Sequence, residues 1–376
     1  MDERVLAERL ITYDTSTLDG LRSAAGFVKG WLEARDIPVT GREFDGLPVV
    51  LADVGPPAGP AVILHGHLDV VPAHEEQFTP CIEGDRLIGR GAYDMKGALA
   101  AIMCTVEDLA ENPGVRVRFL CVPDEESEDV EHRSTDALVQ EGLRGDFALT
   151  GEPTDLHVGV EAKGVLAVRV EVSGIAAHGS TPWLGDNAIL KAYEVFRRIE
   201  TLPFSRESSD LFERPSINVA RIVGGDAFNK VPDRCGIDVD IRYLPNQDPD
   251  EILAEIRAIG DVRIVRTFHR APAIVSRSNP YVLALRHAVG RSLKGEALSI
   301  GRDGASDVIS FLQAGVPAVE FGPVGAGHHG PDEWVSISSL RRYRQALREF
   351  LTALPQRLSV RQATEPTLRA VEGGRT

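Results

Sequence analysis

Short apolar runs mark the strands that the sequence predicts. Four such runs of strand-like length lie at residues 61–64, 115–122, 147–150 and 318–321. The segments between the first three are longer and carry apolar residues every three or four positions, which is typical of amphipathic helices. Strands that alternate with helices in this way predict an α/β domain, in which helices cover the faces of a sheet.

The clearest helical pattern follows Asp94. Apolar side chains recur after it at three- and four-residue spacing: Leu99, Ile102, Met103, Val106 and Leu109. A helix is therefore expected to begin at Asp94 and to stop at residues 112–114, where Asn, Pro and Gly follow one another.

The pattern changes in the middle of the chain. The segments 165–172 and 237–241 alternate strictly between apolar and polar positions, as in an antiparallel sheet with one buried face. Helical spacing appears at 187–200 and at 249–259. The pattern predicts an α+β region rather than a continuation of the first domain.

These changes divide the chain into two expected domains. Residues 163–273 would form the α+β domain and would interrupt a first domain made of residues 1–162 and 274–360, because a strand-like run returns after the insertion. Residues 361–376 have little apolar periodicity and are expected to fray.

Composition and charge narrow the class of protein. The chain has 376 residues, with 41 Lys and Arg against 56 Asp and Glu, so its formal net charge is −15. This acidic excess argues against binding to nucleic acid or to a membrane surface, since both need clustered basic residues. At 43% hydrophobic and 26% charged residues, the chain has the composition of an ordinary globular protein, and its length suggests two or three domains.

A cytoplasmic location is expected. No apolar run approaches the roughly 20 residues of a membrane-spanning helix, and the first residues lack the basic and apolar regions of a signal peptide. The cysteines form no Cys-x-x-Cys pair and are expected to be free, buried thiols in a reducing compartment. They are Cys81, Cys104, Cys121 and Cys235.

Histidine and carboxylate side chains follow all four apolar runs. Because the carboxyl ends of parallel strands meet at one edge of an α/β sheet, these side chains are expected to lie close together. Asp94, at the predicted helix start, adds a further carboxylate. The set is His67, Asp69, Asp94, Glu125, Glu126, Glu152 and His329.

Each of these side chains has an ordinary structural explanation when it is taken alone. A single His after a strand is more often hydrogen-bonded than a ligand, adjacent Glu residues are usually solvated, and Asp at a helix start is normally an N-cap. Together, two His and three carboxylates at one sheet edge suit a pair of divalent ions. A carboxylate that bridges two ions about 3.5–4 Å apart is the arrangement of two-metal hydrolases.

Two further carboxylates indicate hydrolysis rather than a structural metal site. Asp69, two residues after His67, can accept a hydrogen bond from the remote ring nitrogen of a ligand histidine. In the pair Glu125 and Glu126, one carboxylate can bind metal while its neighbour takes a proton from water.

Five motifs occur in order along the chain: LHGHLDVVP at 64–72, GRGAYDMKG at 89–97, PDEE at 123–126, GEP at 151–153 and HGPDE at 329–333. They resemble the motifs of the dinuclear-zinc deacylase and peptidase family. That family includes acetylornithine deacetylase, succinyl-diaminopimelate desuccinylase, aminoacylase and glutamate carboxypeptidase. The resemblance implies a zinc-peptidase-like catalytic domain with a central mixed, mostly parallel sheet. It also implies an inserted α+β lid domain with an antiparallel sheet, through which the protein would form a homodimer.

The resemblance also implies a ligand set. His67 and Glu152 would bind one Zn²⁺, Glu126 and His329 the other, and Asp94 would bridge the two ions of each chain. Co²⁺ or Mn²⁺ are the expected substitutes.

Five more residues receive roles from the same resemblance. Asp69 would orient the ligand histidine beside it, and Glu125 would be the general base. His178, in the motif GIAAHGS at 174–180, would reach the active site of the partner subunit and stabilise the oxyanion. Asn229 and Arg242 resemble the family's contacts to the substrate carboxylate.

The expected activity is hydrolysis of a small N-acyl amino acid, of the acetylornithine deacetylase or succinyl-diaminopimelate desuccinylase type, in amino-acid biosynthesis. A dipeptidase or carboxypeptidase of the same family is the alternative. The segments EAKG at 161–164 and GSTPW at 179–183 resemble the broader deacetylase and carboxypeptidase pattern, whereas EFGPV at 320–324 resembles the desuccinylases. A metal-binding protein without catalysis is disfavoured, because Asp69 and Glu125 are both present.

Overall fold

The computed structural model describes residues 2–110, 114–126, 133–293 and 297–364. The helices are α1 (Glu3–Ile11), α2 (Leu18–Glu33), α3 (Gly97–Leu109), α4 (Ser134–Gln140), α5 (Ala188–Ile199), α6 (Pro249–Arg257), α7 (Pro280–Leu293), α8 (Val308–Gln313) and α9 (Ile337–Thr364). The strands are β1 (Val39–Phe44), β2 (Leu47–Val54), β3 (Ala61–His67), β4 (Cys81–Glu83), β5 (Arg86–Ile88), β6 (Arg116–Val122), β7 (Phe147–Thr150), β8 (Val158–Ala162), β9 (Gly164–Ser173), β10 (Ser216–Gly224), β11 (Arg234–Tyr243), β12 (Val262–Arg270), β13 (Ala273–Ile274), β14 (Ser299–Arg302), β15 (Ala318–Glu320), β16 (Gly325–Ala326) and β17 (Trp334–Ser336).

The chain divides into two compact units. The first comprises Met1–Val158, Ser276–Leu298 and Gln313–Thr376, and the second comprises Gly159–Val275 and Ser299–Leu312. Within the described ranges, no helix is both long enough and apolar enough to cross a membrane.

The first unit is built on a mixed sheet in which β1, β2, β6, β3, β7 and β15 are successive neighbours. β3 runs parallel to both β6 and β7, and β15 runs parallel to β7, whereas β1 and β2 pair antiparallel. The predicted α/β class, with a mostly parallel sheet, is therefore confirmed. Parallel strands end at the same edge, so the residues that follow β3, β6, β7 and β15 are brought to one side of the unit.

The helix after Asp94 begins later than predicted. Asp94 has φ −119° and ψ 96°, which is not helical, and α3 begins at Gly97. The backbone N–H of Asp94 donates to Glu333 Oε1 at 3.0 Å instead of serving a helix start. A Cβ at Gly97 would lie 2.4 Å from Ala92 O, so glycine permits this tight entry into the helix. The end of α3 at Leu109 precedes the predicted stop, of which 112 and 113 lie outside the described residues.

α9 ends at Thr364, and 365–376 of the tail that was expected to fray lie outside the described residues, so that expectation stays a prediction. One other sequence prediction needs correction. The four cysteines are free, but Cys81 is exposed while the other three are buried. Cys81 is exposed because β4 forms the edge of a small sheet with the order β16, β17, β5, β4.

The second unit contains the predicted antiparallel sheet, with the order β10, β11, β9, β12. Apolar side chains of β9 and β11 alternate into a core that they share with α5 and α6. The side chain of Asn187 accepts from the N–H groups of Ile189 and Leu190 and so caps α5, and Asp248 caps α6 in front of Pro249. β8 pairs with β13 and β14 in the same unit.

Candidate active site

Five potential metal ligands come together at the carboxyl edge of the first unit's sheet. His67 is the last residue of β3, Glu126 lies just after β6 and Glu152 just after β7. Asp94 lies in the turn before α3, and His329 lies between β16 and β17. Ligand atoms of His67, Asp94 and Glu152 lie within 4.8 Å of one another, and so do those of Asp94, Glu126 and His329.

Asp94 belongs to both triads, and its two carboxylate oxygens face different histidines. Oδ1 lies 3.1 Å from His67 Nε2, and Oδ2 lies 3.7 Å from His329 Nε2. Glu152 Oε1 completes the first triad at 3.8 Å from His67 Nε2, and Glu126 Oε1 completes the second at 2.8 Å from His329 Nε2. One carboxylate between two ligand groups is the arrangement that a bridged pair of divalent ions requires.

Burial makes this cluster of charges costly without a cation. Burial raises the pKa of the Glu152 carboxyl well above its usual 4.5, and the nearby Asp94 and Glu125 carboxylates raise this pKa further. Burial by itself would lower the pKa of His67, but the Asp69 and Asp94 carboxylates outweigh burial and hold the pKa well above 6.5. Within the described residues, Glu152 Oε1 is buried without a hydrogen-bond partner. A set of nitrogen and carboxylate ligand atoms, one of which has no hydrogen bond among the described residues, fits divalent metal ions.

Glu125 lies beside the two triads but has a different environment. Its ligand atom is within 4.8 Å of those of His67 and Glu126, so distance alone also allows it to bind metal. Its carboxylate is ion-paired with Arg133, at 2.6 Å between Oε1 and Nη1. Arg133 was not predicted as a site residue, because no local sequence pattern indicates its contact with Glu125.

Asp69 contacts three residues of the site, His67, Glu125 and Glu126. Its backbone oxygen accepts from His67 Nδ1 at 3.0 Å, while its carboxylate lies 3.5 Å from the same nitrogen. The carboxylate instead accepts hydrogen bonds from the backbone N–H groups of Glu125, at 3.1 Å, and Glu126, at 2.6 Å. The side chain of Asp69 thus anchors the adjacent pair of carboxylates, while its backbone orients the histidine.

Besides Arg133, three residues that were not predicted from the sequence support the site. His65, buried in β3, contacts the hydroxyl groups of Thr150 and Thr135 through its two ring nitrogens. Arg90 and Glu333 form an ion pair at 2.8 Å that is almost fully buried. Arg90 lies in the motif at 89–97 and Glu333 in the motif at 329–333. Their opposite charges, each within a motif, were the feature of the sequence that could have indicated an ion pair.

The remaining candidate residues lie in the second unit. His178 is exposed and its Nδ1 accepts from the backbone N–H of Ser180 at 3.1 Å, so in the neutral ring the proton is on Nε2. The segments of His178 and Asn229 are neighbours, because Gly179 N–H donates to Asn229 O at 2.7 Å. Arg242 lies on β11, where its Nε donates to Asp240 Oδ2 at 3.0 Å.

Comparisons with known proteins agree with this geometry. Residues 63–353 match the model of peptidase family M20/M25/M40. The succinyl-diaminopimelate desuccinylase of Stenotrophomonas maltophilia is 29% identical over 323 residues, which cover 80% of this chain and 83% of that protein.

Two solved structures share the fold. The M20 family metallo-carboxypeptidase Sso-CP2 of Sulfolobus solfataricus superposes with a TM-score of 0.78 at 20% identity, over 95% of this chain and 100% of that one. The YXEP protein of Bacillus subtilis, described as a dinuclear metal-binding peptidase, has a TM-score of 0.66 at 17% identity, over 94% of this chain and 99% of that one. At these identities the likeness concerns the fold alone.

A fold with this sheet edge and this ligand cluster defines a metal-dependent hydrolase of amide bonds. More particularly, the chain belongs to peptidase family M20/M25/M40, and the family resemblance seen in the five motifs is confirmed.

Proposed function

We propose that this protein removes the acyl group from an N-acyl amino acid by hydrolysis of the amide bond, with two zinc ions bound at the sheet edge. The observation that carries the proposal is the pair of ligand triads that share Asp94, one oxygen of which faces each histidine. The acyl amino acid is proposed because desuccinylases are among the relatives that align over most of the chain.

The ligand set follows from the two triads. His67 and Glu152 would hold one ion, Glu126 and His329 the other, and Asp94 would contribute one oxygen to each. Bound divalent cations lower the pKa of water and polarise a carbonyl oxygen.

Glu125 is the proposed general base. It takes the proton from the attacking water and returns it to the nitrogen of the leaving amine, so that the amide and water become a carboxylic acid and an amine, which exchange a proton to give a carboxylate and an ammonium. The Asp69 carboxylate holds its backbone N–H, and Arg133 pairs with its side chain. Its side chain is only 9% exposed, which limits competition from bulk water.

The second unit supplies the proposed substrate contacts. The Nε2–H of His178 is a donor suited to a developing oxyanion. The Arg242 guanidinium, held at Nε by Asp240, presents a fork that matches a substrate carboxylate. Asn229, next to the His178 segment, would add an amide contact.

A homodimer through the second unit is part of the proposal. β10 is an edge strand of the antiparallel sheet, and Ile222 and Val223 on it are 50% and 60% exposed. On α5, Leu190 and Tyr193 are 62% and 60% exposed. An edge strand and a helix with exposed apolar residues favour a second copy of this chain as the partner, since a two-fold interface is self-complementary.

The base is tested by Glu125→Gln and Glu125→Ala. Both variants are expected to bind two zinc ions, as counted by elemental analysis, and to lose at least the roughly 10²–10⁴-fold in kcat that a general base contributes. Near wild-type turnover would overturn the assignment. Fewer than two ions per wild-type chain would overturn the dinuclear site.

The substrate class is tested with a panel of acetylornithine, succinyl-diaminopimelate and simple dipeptides. At least one N-acyl amino acid is expected to have the highest kcat/KM. A dipeptide that is turned over more efficiently than both acyl amino acids would place the enzyme among the peptidases instead.

The dimer is tested in two ways. Leu190→Glu is expected to convert a dimer to a monomer in light scattering, whereas Leu283→Glu, at an exposed leucine of the first unit, is expected to leave the mass unchanged. Mixing inactive His178→Ala and Glu125→Ala chains should restore about one quarter of the wild-type activity, because half of the dimers are mixed and each has one intact site. No recovery after verified subunit exchange would show that His178 does not act across the dimer.

A further inference from the structure

We propose that the buried pair Arg90 and Glu333 is a positioning device that holds Asp94 and His329 in register for metal binding. The two proposed ligands come from distant parts of the chain, and the pair contacts the backbone of both. The inference rests on the proposed function only in taking Asp94 and His329 as ligands.

Both carboxylate oxygens of Glu333 are hydrogen-bonded to the segment that carries Asp94. Its Oε1 accepts from the backbone N–H groups of Tyr93 at 2.9 Å and Asp94 at 3.0 Å. Its Oε2 accepts from the backbone N–H of Gly91 at 2.9 Å and from Arg90 Nη1 at 2.8 Å. With four donors on two oxygens and 1% exposure, Glu333 has no capacity left for a metal ion and acts on the backbone instead.

Arg90 extends the same connection to His329. While Nη1 pairs with Glu333, Nη2 donates to the backbone oxygen of His329 at 3.2 Å. His329 has φ +62°, a left-handed conformation that a residue with a Cβ rarely adopts, so the surrounding structure must hold it. Gln77 Nε2 supports the same segment by donating to Gly330 O at 3.1 Å.

The position of the His329 ring depends on this backbone restraint. The His329 side chain is 48% exposed, and Glu126 at 2.8 Å is its one hydrogen-bond partner among the described side chains. A ring with one side-chain hydrogen bond and about half of its surface exposed depends on its backbone for its direction. Ligand positions must match the metal geometry to within about 0.5 Å, so a small shift of either segment weakens binding.

Stability alone explains the pair poorly. Buried ion pairs are often no more stabilising than apolar residues of similar size. In the described part of the chain, Arg90 Nε is also buried without a hydrogen-bond partner. A pair with an unsatisfied donor is better explained by what it orients, which is the backbone of two ligand segments.

The test compares zinc binding of four variants by chelator competition on metal-free protein. Glu333→Gln keeps the side-chain shape but turns one acceptor into a donor. It is expected to lower the affinity for at least one of the two zinc ions by about 10–100-fold, as is typical when a residue that supports a metal ligand is changed. Arg90→Lys keeps the charge but loses the fork that reaches both partners, and about a tenfold loss is expected. Glu3→Gln is the matched control, because Glu3 is also a buried carboxylate paired with an arginine, Arg344. It is expected to stay within threefold of wild type.

Circular dichroism establishes that each variant is folded at the assay temperature. Equal zinc affinities of Glu333→Gln and Glu3→Gln would overturn the inference. If Glu333→Gln does not fold, Arg90→Lys decides, and unchanged affinity in that variant overturns the inference. Asp94→Asn separates the two proposals: if this variant binds zinc like wild type, the ligand set itself is wrong, whereas a loss there without a loss in the pair variants refutes only the positioning role.

Discussion

Replacing Asp69 by Asn tests how the carboxylate pair of Glu125 and Glu126 is held. The Asp69 side chain is 8% exposed, and each of its oxygens accepts one backbone N–H, from Glu125 at 3.1 Å and from Glu126 at 2.6 Å. Asn keeps the shape and one acceptor oxygen. Its amide group, however, presents a donor to the other backbone N–H, so one charge-assisted hydrogen bond is lost.

The size of the effect follows from this single bond. A hydrogen bond to a charged group contributes about 1.5–3 kcal/mol, and at about 1.4 kcal/mol per factor of ten this corresponds to roughly 10–150-fold. We expect the loss to be divided between zinc affinity, through Glu126, and kcat at saturating zinc, through Glu125. Asp69→Ala removes both bonds and should cost more than Asn in at least one of the two quantities.

The assay measures zinc dissociation constants by chelator competition and kcat at saturating zinc. Asp53→Asn is the control, because Asp53 is an exposed carboxylate that pairs with Arg116 and Arg118 at the opposite end of β6. Folded Asp69→Asn within threefold of wild type in both measurements would refute the reasoning, since the two backbone contacts would then carry no function.

Three further predictions concern pH, thiols and stability. The raised pKa values of Glu152 and His67 mean that these two groups bind more protons in the folded, metal-free protein than in the unfolded chain, so urea stability in EDTA should fall as pH rises from about 5 to 6.5. Burial lowers the pKa of Lys96 to about 7, so Lys96 acts in the opposite direction only above this window. Glu152→Gln should flatten the slope between about pH 5 and 6.5, and an unchanged slope would contradict the prediction. Ellman's reagent should modify one thiol rapidly in the native protein and none in Cys81→Ser, because the other three are buried; two or more fast thiols would show that the core opens. The guanidinium of Arg344 lies 2.7 Å from the buried Glu3 carboxylate, and Arg344→Met removes it. This change should lower the free energy of unfolding by about 3 kcal/mol in urea titration. A loss below about 0.5 kcal/mol would mean that water already screens the pair.

Local pattern was enough to predict the elements of the sheet edge. The strand expected at residues 147–150 is observed at Phe147–Thr150, and the run at 61–64 begins β3. These predictions succeed because apolar periodicity is local, and because parallel strands between helices must end at one edge of the sheet. The ligand types are also local information, since His and carboxylates come directly after the strands.

The pattern of apolar and polar residues could not predict the backbone geometry near the site. Asp94 was expected to start a helix, yet its N–H is taken by Glu333, which is 239 positions away in sequence. Apolar spacing carries no information about such a contact, because the hydrogen bond depends on how two distant segments pack. The residue type of His329 likewise does not predict its left-handed backbone conformation.

Sequence by itself determined the α/β class, the family and the residue types gathered at the sheet edge. Only the tertiary structure decided that the two oxygens of Asp94 face different histidines and that the Asp69 carboxylate is used by the backbone of its neighbours. The reason is physical: strand and helix formation respond to the pattern of nearby residues. Hydrogen bonds and metal ligation instead require atoms from distant segments to meet within fractions of an ångström.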